Sequence, residues 1–190
     1  MPTIRRITDI ERPLVEALEK RGRSVEKAMG AFLRVSVGEK IYVIDNKDHS
    51  GPVMLSNLRG WIDSFDRGDH LILLTMGFFH PRCYQYLIDE KILSRIALIG
   101  IGLRDFYDEE AKATAFGEVE GGVFDAVVSV LGDRGIDVDV VTCKYCGGRV
   151  VAYCSSCGAL LCKSHFIQCP LCKATLCHTD VSDCYYKHEC

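Results

Sequence analysis

The sequence predicts an α/β domain, with a mixed central sheet flanked by helices, followed by a small C-terminal domain rich in cysteine. Three observations predict this division. Helix-like and strand-like segments alternate over residues 1–140, and a continuous apolar run at His70–Thr75 is typical of a buried parallel strand. Ten of the eleven cysteines lie between Cys143 and Cys190. We therefore expect two domains, residues 1–140 and residues 141–190.

The elements of the first domain follow from hydrophobic spacing and turn residues. Apolar residues at helical spacing predict a helix over 10–21, with Pro13 in its first turn and Gly22 at its end. Two strand-like runs around Gly38 and Glu39 predict a β-hairpin. The remaining predicted elements are helices at 55–65, 81–91 and 123–131 and strands at 70–75, 95–101 and 136–141. This order predicts a mixed sheet with helices on its faces.

The composition excludes several classes of protein. With 48% apolar residues among 190, the chain can form a core, so wholesale disorder is excluded. No apolar run approaches the roughly 18 residues of a membrane span, and the first residues lack the apolar region of a secretory signal. We expect a protein of a reducing, cytoplasmic compartment without a membrane partner. The net charge of −3 provides no global attraction to nucleic acid.

Four segments of the first domain occur in an order that is typical of a known fold. They are the strand residues 42–47, the turn 50–53, the segment 73–79 and the helix that begins after Pro81. In this order they resemble the restriction-endonuclease-like fold, most closely the Mrr endonucleases and the archaeal Holliday-junction resolvases. The resemblance covers roughly residues 8–103.

The resemblance implies a candidate nuclease site made of Glu11, Asp45 and Lys47. In that chemistry, carboxylates hold Mg²⁺ and a lysine orients or deprotonates the attacking water. Asp45 and Lys47 are two apart on one strand and so share a face. The family's other acid is expected about 13 residues before Asp45, where this chain has Phe32. We therefore expect a degenerate, inactive site, and an active Mg²⁺-dependent endonuclease is the alternative.

Two further features bear on whether the domain cleaves or binds nucleic acid: acids that could replace the missing metal ligand, and the charge of the surface. Glu26 and Glu39 are the nearest residues that could replace the missing acid. The first 34 residues carry eight cationic side chains against five acids, which could contact phosphates or form a solvated helix face. The segment 105–110 is acidic and would repel DNA along its side of the domain. We therefore expect any DNA contact to be confined to one side.

The C-terminal domain carries closely spaced Cys-x2-Cys pairs, a spacing that places two thiolates on one metal ion. Sulfur ligands favour tetrahedral zinc, and the histidines among them favour separate ions over an iron–sulfur cluster. We expect two or three structural zinc ions. The candidate ligands are Cys143, Cys146, Cys154, Cys157, Cys162, His165, Cys169, Cys172, Cys177, Cys184, His188 and Cys190.

The run of pairs resembles the cross-braced zinc fingers of the RING, B-box and stress-associated-protein type. The resemblance implies a first site of Cys143, Cys146, Cys162 and His165. Cys154 and Cys157 then pair either with the Cys-x2-Cys at 169 and 172 or with ligands after residue 177, and the sequence leaves this open. RING-like modules recruit ubiquitin-conjugating enzymes, so a protein-recruiting, ubiquitin-ligase-like role is one alternative.

The leading hypothesis is a DNA- or RNA-associated binding protein or adaptor, built on a nuclease-like domain with a structural zinc module and a protein partner. The active endonuclease and the protein-recruiting module are the rivals.

Overall fold

The computed structural model describes residues 7–27, 33–47, 49, 51–65, 68–102, 112–117 and 122–190. The chain divides into two compact units. The first comprises Met1–Leu87 and Lys91–Val140, and the second comprises Ile88–Glu90 and Val141–Cys190. All ten cysteines from Cys143 onward therefore belong to the second unit.

Helices and strands alternate along the first unit, after a single 3-10 turn at Ile7–Ile10. In chain order the elements are α1 (Glu11–Lys20), β1 (Ser24–Glu26), β2 (Leu33–Val37), β3 (Lys40–Lys47), β4 (Pro52–Val53), α2 (Leu55–Asp63), β5 (His70–Thr75), β6 (Phe78–Phe79), α3 (Pro81–Asp89), β7 (Ile96–Gly102), β8 (Lys112–Phe116), α4 (Val123–Asp133) and β9 (Asp137–Val140). Across the described parts of the chain, no helix is long and apolar enough to cross a membrane.

The sheet contains seven strands in the order β1-β2-β3-β5-β7-β8-β9. The first three form an antiparallel meander, and β3, β5 and β7 are parallel to one another. Strand β8 runs antiparallel to β7, and β9 runs parallel to β8. The prediction of a mixed central sheet is therefore confirmed.

The sheet is buried on both faces. On one face, α1 and α4 pack against strand residues such as Ile44 and Ile72 to form one apolar cluster. Val43, Leu71 and Leu73 alternate with these residues along the strands and so point to the other face, where they are also buried. Asp45, next in that alternation after Val43, lies on this second face.

The local sequence explains why some elements are evident from the sequence and others are not. The six residues of β5 coincide with the apolar run, because a strand buried on both faces needs no alternation. The sequence does not predict strand β8, since Lys-Ala-Thr-Ala-Phe lacks a run of large apolar residues and the pairing with β7 defines this strand. The strands β1, β4 and β6 have only two or three residues each.

The second unit contains two short antiparallel hairpins. Strand β10 (Ala152–Tyr153) pairs with β11 (Leu160–Leu161), and β12 (Phe166–Gln168) pairs with β13 (Thr175–Cys177). The buried cluster of this unit consists of four cysteines and three apolar residues. They are Ala152, Cys154, Leu161, Cys169, Leu176, Cys177 and Cys184. A core this small is typical of domains that depend on metal for folding.

Candidate metal centres

Twelve cysteine and histidine side chains of the second unit converge in three groups of four. Within each group, all the ligand atoms lie within 4.8 Å of one another. Site 1 is Cys143, Cys146, Cys162 and His165; site 2 is Cys154, Cys157, Cys177 and Cys184; site 3 is Cys169, Cys172, His188 and Cys190. These are the same twelve residues that the Cys-x2-Cys spacing identifies as candidate ligands.

Site 1 joins the first Cys-x2-Cys pair to Cys162 and His165. The Nδ1 atom of His165 lies 3.4 Å from Cys143 Sγ and 3.3 Å from Cys162 Sγ, and the sulfurs of Cys146 and Cys162 are 3.6 Å apart. A tetrahedral zinc ion with Zn–S bonds of about 2.3 Å places its sulfurs about 3.8 Å apart. The donor set therefore has the dimensions that zinc requires.

Site 2 consists of four cysteines, three of which are almost fully buried. The sulfurs of Cys157 and Cys177 are 3.6 Å apart. Two hydroxyls contact this group: Tyr145 Oη lies 3.4 Å from Cys177 Sγ, and Ser182 Oγ donates a hydrogen bond of 3.1 Å to Cys184 Sγ. Such contacts from outside the ligand set orient the ligands and stabilise their thiolate charge.

Site 3 is the most exposed of the three groups. Its sulfurs at Cys169 and Cys190 are 3.3 Å apart, and His188 Nε2 lies 3.0 Å from Cys172 Sγ. Cys169 is buried, Cys172 and Cys190 are exposed, and His188 is half-buried. Every group offers four protein ligands and no open position, which is the pattern of structural zinc.

Each site contains a Cys-x2-Cys knuckle with the same backbone geometry. The amide of the first cysteine donates to the carbonyl five residues later, and that cysteine's own carbonyl accepts from the amide four residues later. The residue at that fourth position has a positive φ in all three knuckles: 69° at Gly147, 71° at Gly158 and 63° at Lys173. Glycine adopts this conformation freely, so Lys173 is the exception.

Backbone donors in the knuckles favour the thiolate form of each first cysteine. Burial would raise the pKa of Cys143 and of Cys154, but hydrogen bonds, chiefly from backbone N–H groups, outweigh it and lower these pKa values to about 6 and about 7. Backbone N–H groups likewise lower the pKa of Cys169 to about 6. Burial raises the pKa of Cys177 to about 12. The first cysteine of each knuckle is thus the one whose thiolate the backbone favours.

The sequence predicts the grouping of site 1 and leaves that of the second pair open. In the structure, Cys154 and Cys157 join Cys177 itself and the later Cys184, while the pair at 169 and 172 belongs to site 3. A repeat of 15 residues could have shown this, because the cysteines at 154, 157 and 162 recur at 169, 172 and 177. The third cysteine of site 1, Cys162, lies eight residues after Cys154, the first cysteine of the second pair. In the same way, the third cysteine of site 2, Cys177, lies eight residues after Cys169.

No family model matches this chain, and comparison with curated proteins and with solved structures finds no match either. The chemistry of the two units therefore has to be argued from their own geometry.

The candidate nuclease residues are only partly brought together. Lys47 Nζ lies 2.5 Å from Asp45 Oδ2, an oxygen that is buried and has no other polar partner among the described residues. The ammonium also lies 5.8 Å from the ring centroid of Trp61 and 5.5 Å from that of Phe65. Glu11 belongs to α1, which packs on the opposite face of the sheet from Asp45. Its carboxylate forms an ion pair with Lys27.

A second carboxylate beside Asp45 would be needed for a divalent cation. Among the described residues, no group of three or more histidine, cysteine or acidic ligands includes Asp45. Glu26 and Glu39, the candidate replacements, are both exposed, on β1 and in the β2–β3 turn. Phe32 lies outside the described residues, as does the acidic segment 105–110.

Proposed function

We propose that each of the three groups binds one zinc ion and that the second unit is a structural zinc module of the interleaved, cross-braced type. The support is the donor set of ten thiols and two imidazoles, the sulfur spacing of a tetrahedral site and the absence of an open position in any group. The ligand pairs of sites 1 and 2 alternate along the chain, and so do those of sites 2 and 3. Zinc then supplies the stability that the small apolar core lacks.

For the first unit, we propose a restriction-endonuclease-like domain that has lost its metal site. The support is the order α1, antiparallel meander β1–β3, α2 and parallel β5, with an acid-x-lysine pair at the end of β3. Lys47 neutralises Asp45 directly, and the aromatic rings of Trp61 and Phe65 flank the ammonium. Mg²⁺ would have to displace this lysine, with no second carboxylate among the described residues to assist it.

The function that we propose for the whole chain is non-catalytic binding of nucleic acid, with the zinc module as the contact surface. One observation supports it above the others: residues 141–179 contain four cationic side chains and no carboxylate. The four are Lys144, Arg149, Lys163 and Lys173, and all are exposed. Each lies in or beside a metal-binding loop, so zinc would fix the positions of these charges for contact with phosphates.

Formal charge and the positions of two lysines together favour site 1 as the main contact. With zinc bound, three thiolates and an imidazole leave sites 1 and 3 with a formal charge of −1 each, whereas the four thiolates of site 2 leave −2. Lys144 lies between two ligands of site 1, and Lys163 lies between the other two. The cations near the N-terminus are less available, because Arg12, Lys27 and Arg34 are each paired with an acid.

Fluorescence anisotropy with the zinc-loaded full chain tests this function. The probes are a labelled single-stranded RNA, a single-stranded DNA and a DNA duplex, titrated at salt concentrations from about 50 to about 200 mM. We expect Lys144→Gln and Lys163→Gln each to weaken binding several-fold. Each should also lower the slope of log K against log salt by about 0.7 to 0.9, the loss of one phosphate contact.

The matched control is Lys187→Gln, since this lysine belongs to the same unit but forms an ion pair with Asp183, four residues earlier. It should bind like the wild type. The proposal fails if none of the three probes binds at low salt or if the control weakens binding as much as Lys144→Gln does. Incubation of the duplex with Mg²⁺ in the same series would reveal cleavage, which contradicts the loss of the nuclease site.

A further inference from the structure

The three candidate metal sites differ in how many of their cysteine residues are exposed. Residues 122–190 are described without a gap, so all the ligands can be compared. Site 1 exposes only Cys146 and site 2 exposes only Cys157, whereas site 3 exposes both Cys172 and Cys190. The remaining cysteines of sites 1 and 2 are at most 9% exposed.

An exposed cysteine matters because a hydroperoxide must reach a thiolate to oxidise it, whereas the second thiolate, which then attacks the oxidised sulfur, needs only to lie nearby. Site 3 offers two exposed cysteines, and sites 1 and 2 offer one each. The sulfurs of Cys169 and Cys190 are 3.3 Å apart, compared with 3.6 Å for Cys146 and Cys162 in site 1 and for Cys157 and Cys177 in site 2. A bound tetrahedral zinc ion would hold these two sulfurs about 3.8 Å apart, so the pair must approach by about 1.7 Å to reach disulfide bonding distance.

Sites 1 and 3 share the same chemistry, which makes their difference informative. Both consist of three cysteines and one histidine, and both use a knuckle of the same backbone geometry. Ligand softness and formal charge therefore cannot distinguish them. What distinguishes them is the exposure of their cysteines, one in site 1 and two in site 3.

We propose that site 3 is a modification site for hydroperoxides, at which oxidation of Cys190 and Cys169 releases a single zinc ion. The inference rests on the zinc occupancy proposed above and not on the binding of nucleic acid. The sequence motif alone does not indicate it, because all three knuckles have the same Cys-x2-Cys spacing.

The reaction consumes one hydroperoxide. Its terminal oxygen is transferred to the Cys190 thiolate, the O–O bond breaks, and the departing alkoxide or hydroxide is protonated to an alcohol or water. The Cys169 thiolate then attacks the sulfenic sulfur, the S–S bond forms, and hydroxide leaves and is protonated. The two thiolates are oxidised by two electrons in all, and the peroxide is reduced. Cys172 and His188 alone hold Zn²⁺ too weakly to retain it, so the ion dissociates and Cys172 takes up a proton.

Sites 1 and 2 should survive this reaction, because no ligand is shared with site 3. Cys177 of site 2 anchors strand β13, so the β12–β13 hairpin remains attached to the rest of the module. Site 3 is the metal group that joins the knuckle at 169–173 to the end of the segment 185–190. The switch would therefore loosen one end of the module and leave the other end folded.

The test uses the zinc-loaded full chain and hydrogen peroxide, with a chromogenic zinc chelator to follow release. Peptide mapping by mass spectrometry identifies the disulfide. We expect one of three zinc ions to leave at least about tenfold faster than the other two, in step with a Cys169–Cys190 disulfide. Addition of a dithiol reductant and zinc should restore three ions per chain.

Two matched variants separate exposure from ligand chemistry. Cys190→His in site 3 and Cys162→His in site 1 both leave a site of two cysteines and two histidines, which still suits zinc. Cys190→His should abolish the fast phase, and Cys162→His should leave it unchanged. Simultaneous release of all three ions, a first disulfide in site 1 or 2, or equal effects of the two variants would overturn the proposal. A first disulfide between Cys169 and Cys172 would overturn the assigned pair. If either variant retains fewer than three ions, the wild-type disulfide map alone decides the outcome.

Discussion

At the scale of single residues, the first unit depends on a charge that one neighbour neutralises. The side chain of Asp45 is 5% exposed, and its ion-pair partner Lys47 is 22% exposed between the rings of Trp61 and Phe65. Removal of one member of a buried pair leaves the other charge uncompensated, which costs about 3 to 5 kcal/mol. The pair therefore has a clear structural role whether or not the fold descends from nucleases.

Replacement of Lys47 by alanine should therefore destabilise the first unit by about 3 kcal/mol, the lower end of that range, because the lysine retains some solvent. Lys27→Ala is the matched control, since Lys27 is 74% exposed in its pair with Glu11 and should change stability by less than about 1 kcal/mol. Urea unfolding followed by the fluorescence of Trp61, the single tryptophan, measures both. Equal losses in the two variants would contradict a structural role for the Asp45–Lys47 pair.

At the scale of elements, the second unit is built from one knuckle used three times. The same two backbone hydrogen bonds and the same positive φ recur at each Cys-x2-Cys pair. Gly147 and Gly158 suit that conformation, whereas Lys173 adopts a left-handed backbone that costs a residue with a side chain about 1 to 2 kcal/mol. Site 3 therefore combines the most exposed ligands with the most strained knuckle.

This difference in backbone strain predicts that substitutions at residues 158 and 173, which are equivalent positions of their knuckles, change metal retention in opposite directions. Gly158→Ala should weaken metal retention at site 2 by about 1 kcal/mol, because a Cβ there meets no atom within 4 Å and only the backbone is strained. Lys173→Gly should strengthen retention at site 3 by up to about 1 kcal/mol, after the entropy cost of glycine is included. Titration with a competing chelator, which reads the zinc remaining at each site, measures both. Effects of the same sign would show that φ does not control retention.

At the scale of the whole molecule, the features that the sequence predicts are those that depend on residues close together in the chain. The ligands are visible in the sequence because a Cys-x2-Cys turn binds one ion by itself, and β5 is visible because six consecutive residues are buried. The pairing of Cys154 and Cys157 with Cys177 and Cys184 depends on which loops meet in three dimensions, and only the 15-residue repeat indicates it. Strand β8 is likewise defined by its partner β7 more than by its own residues.

The two units also differ in what stabilises them, so metal removal should separate them. The first unit has a large apolar core in which Cys83 is fully buried and donates to Val53 O, and burial raises the pKa of this thiol to about 11. A strong chelator should unfold the zinc module and leave the first unit folded. Alkylation under native conditions should then label the ten cysteines of 143–190 within minutes but spare Cys83, while the fluorescence of Trp61 stays unchanged. Rapid labelling of Cys83, or a shift of the tryptophan emission upon chelation, would show that the first unit depends on the metal as well. Protection of the ten cysteines after complete zinc removal would show that the module is held by its apolar residues, and the structural role assigned to the metal would then be wrong.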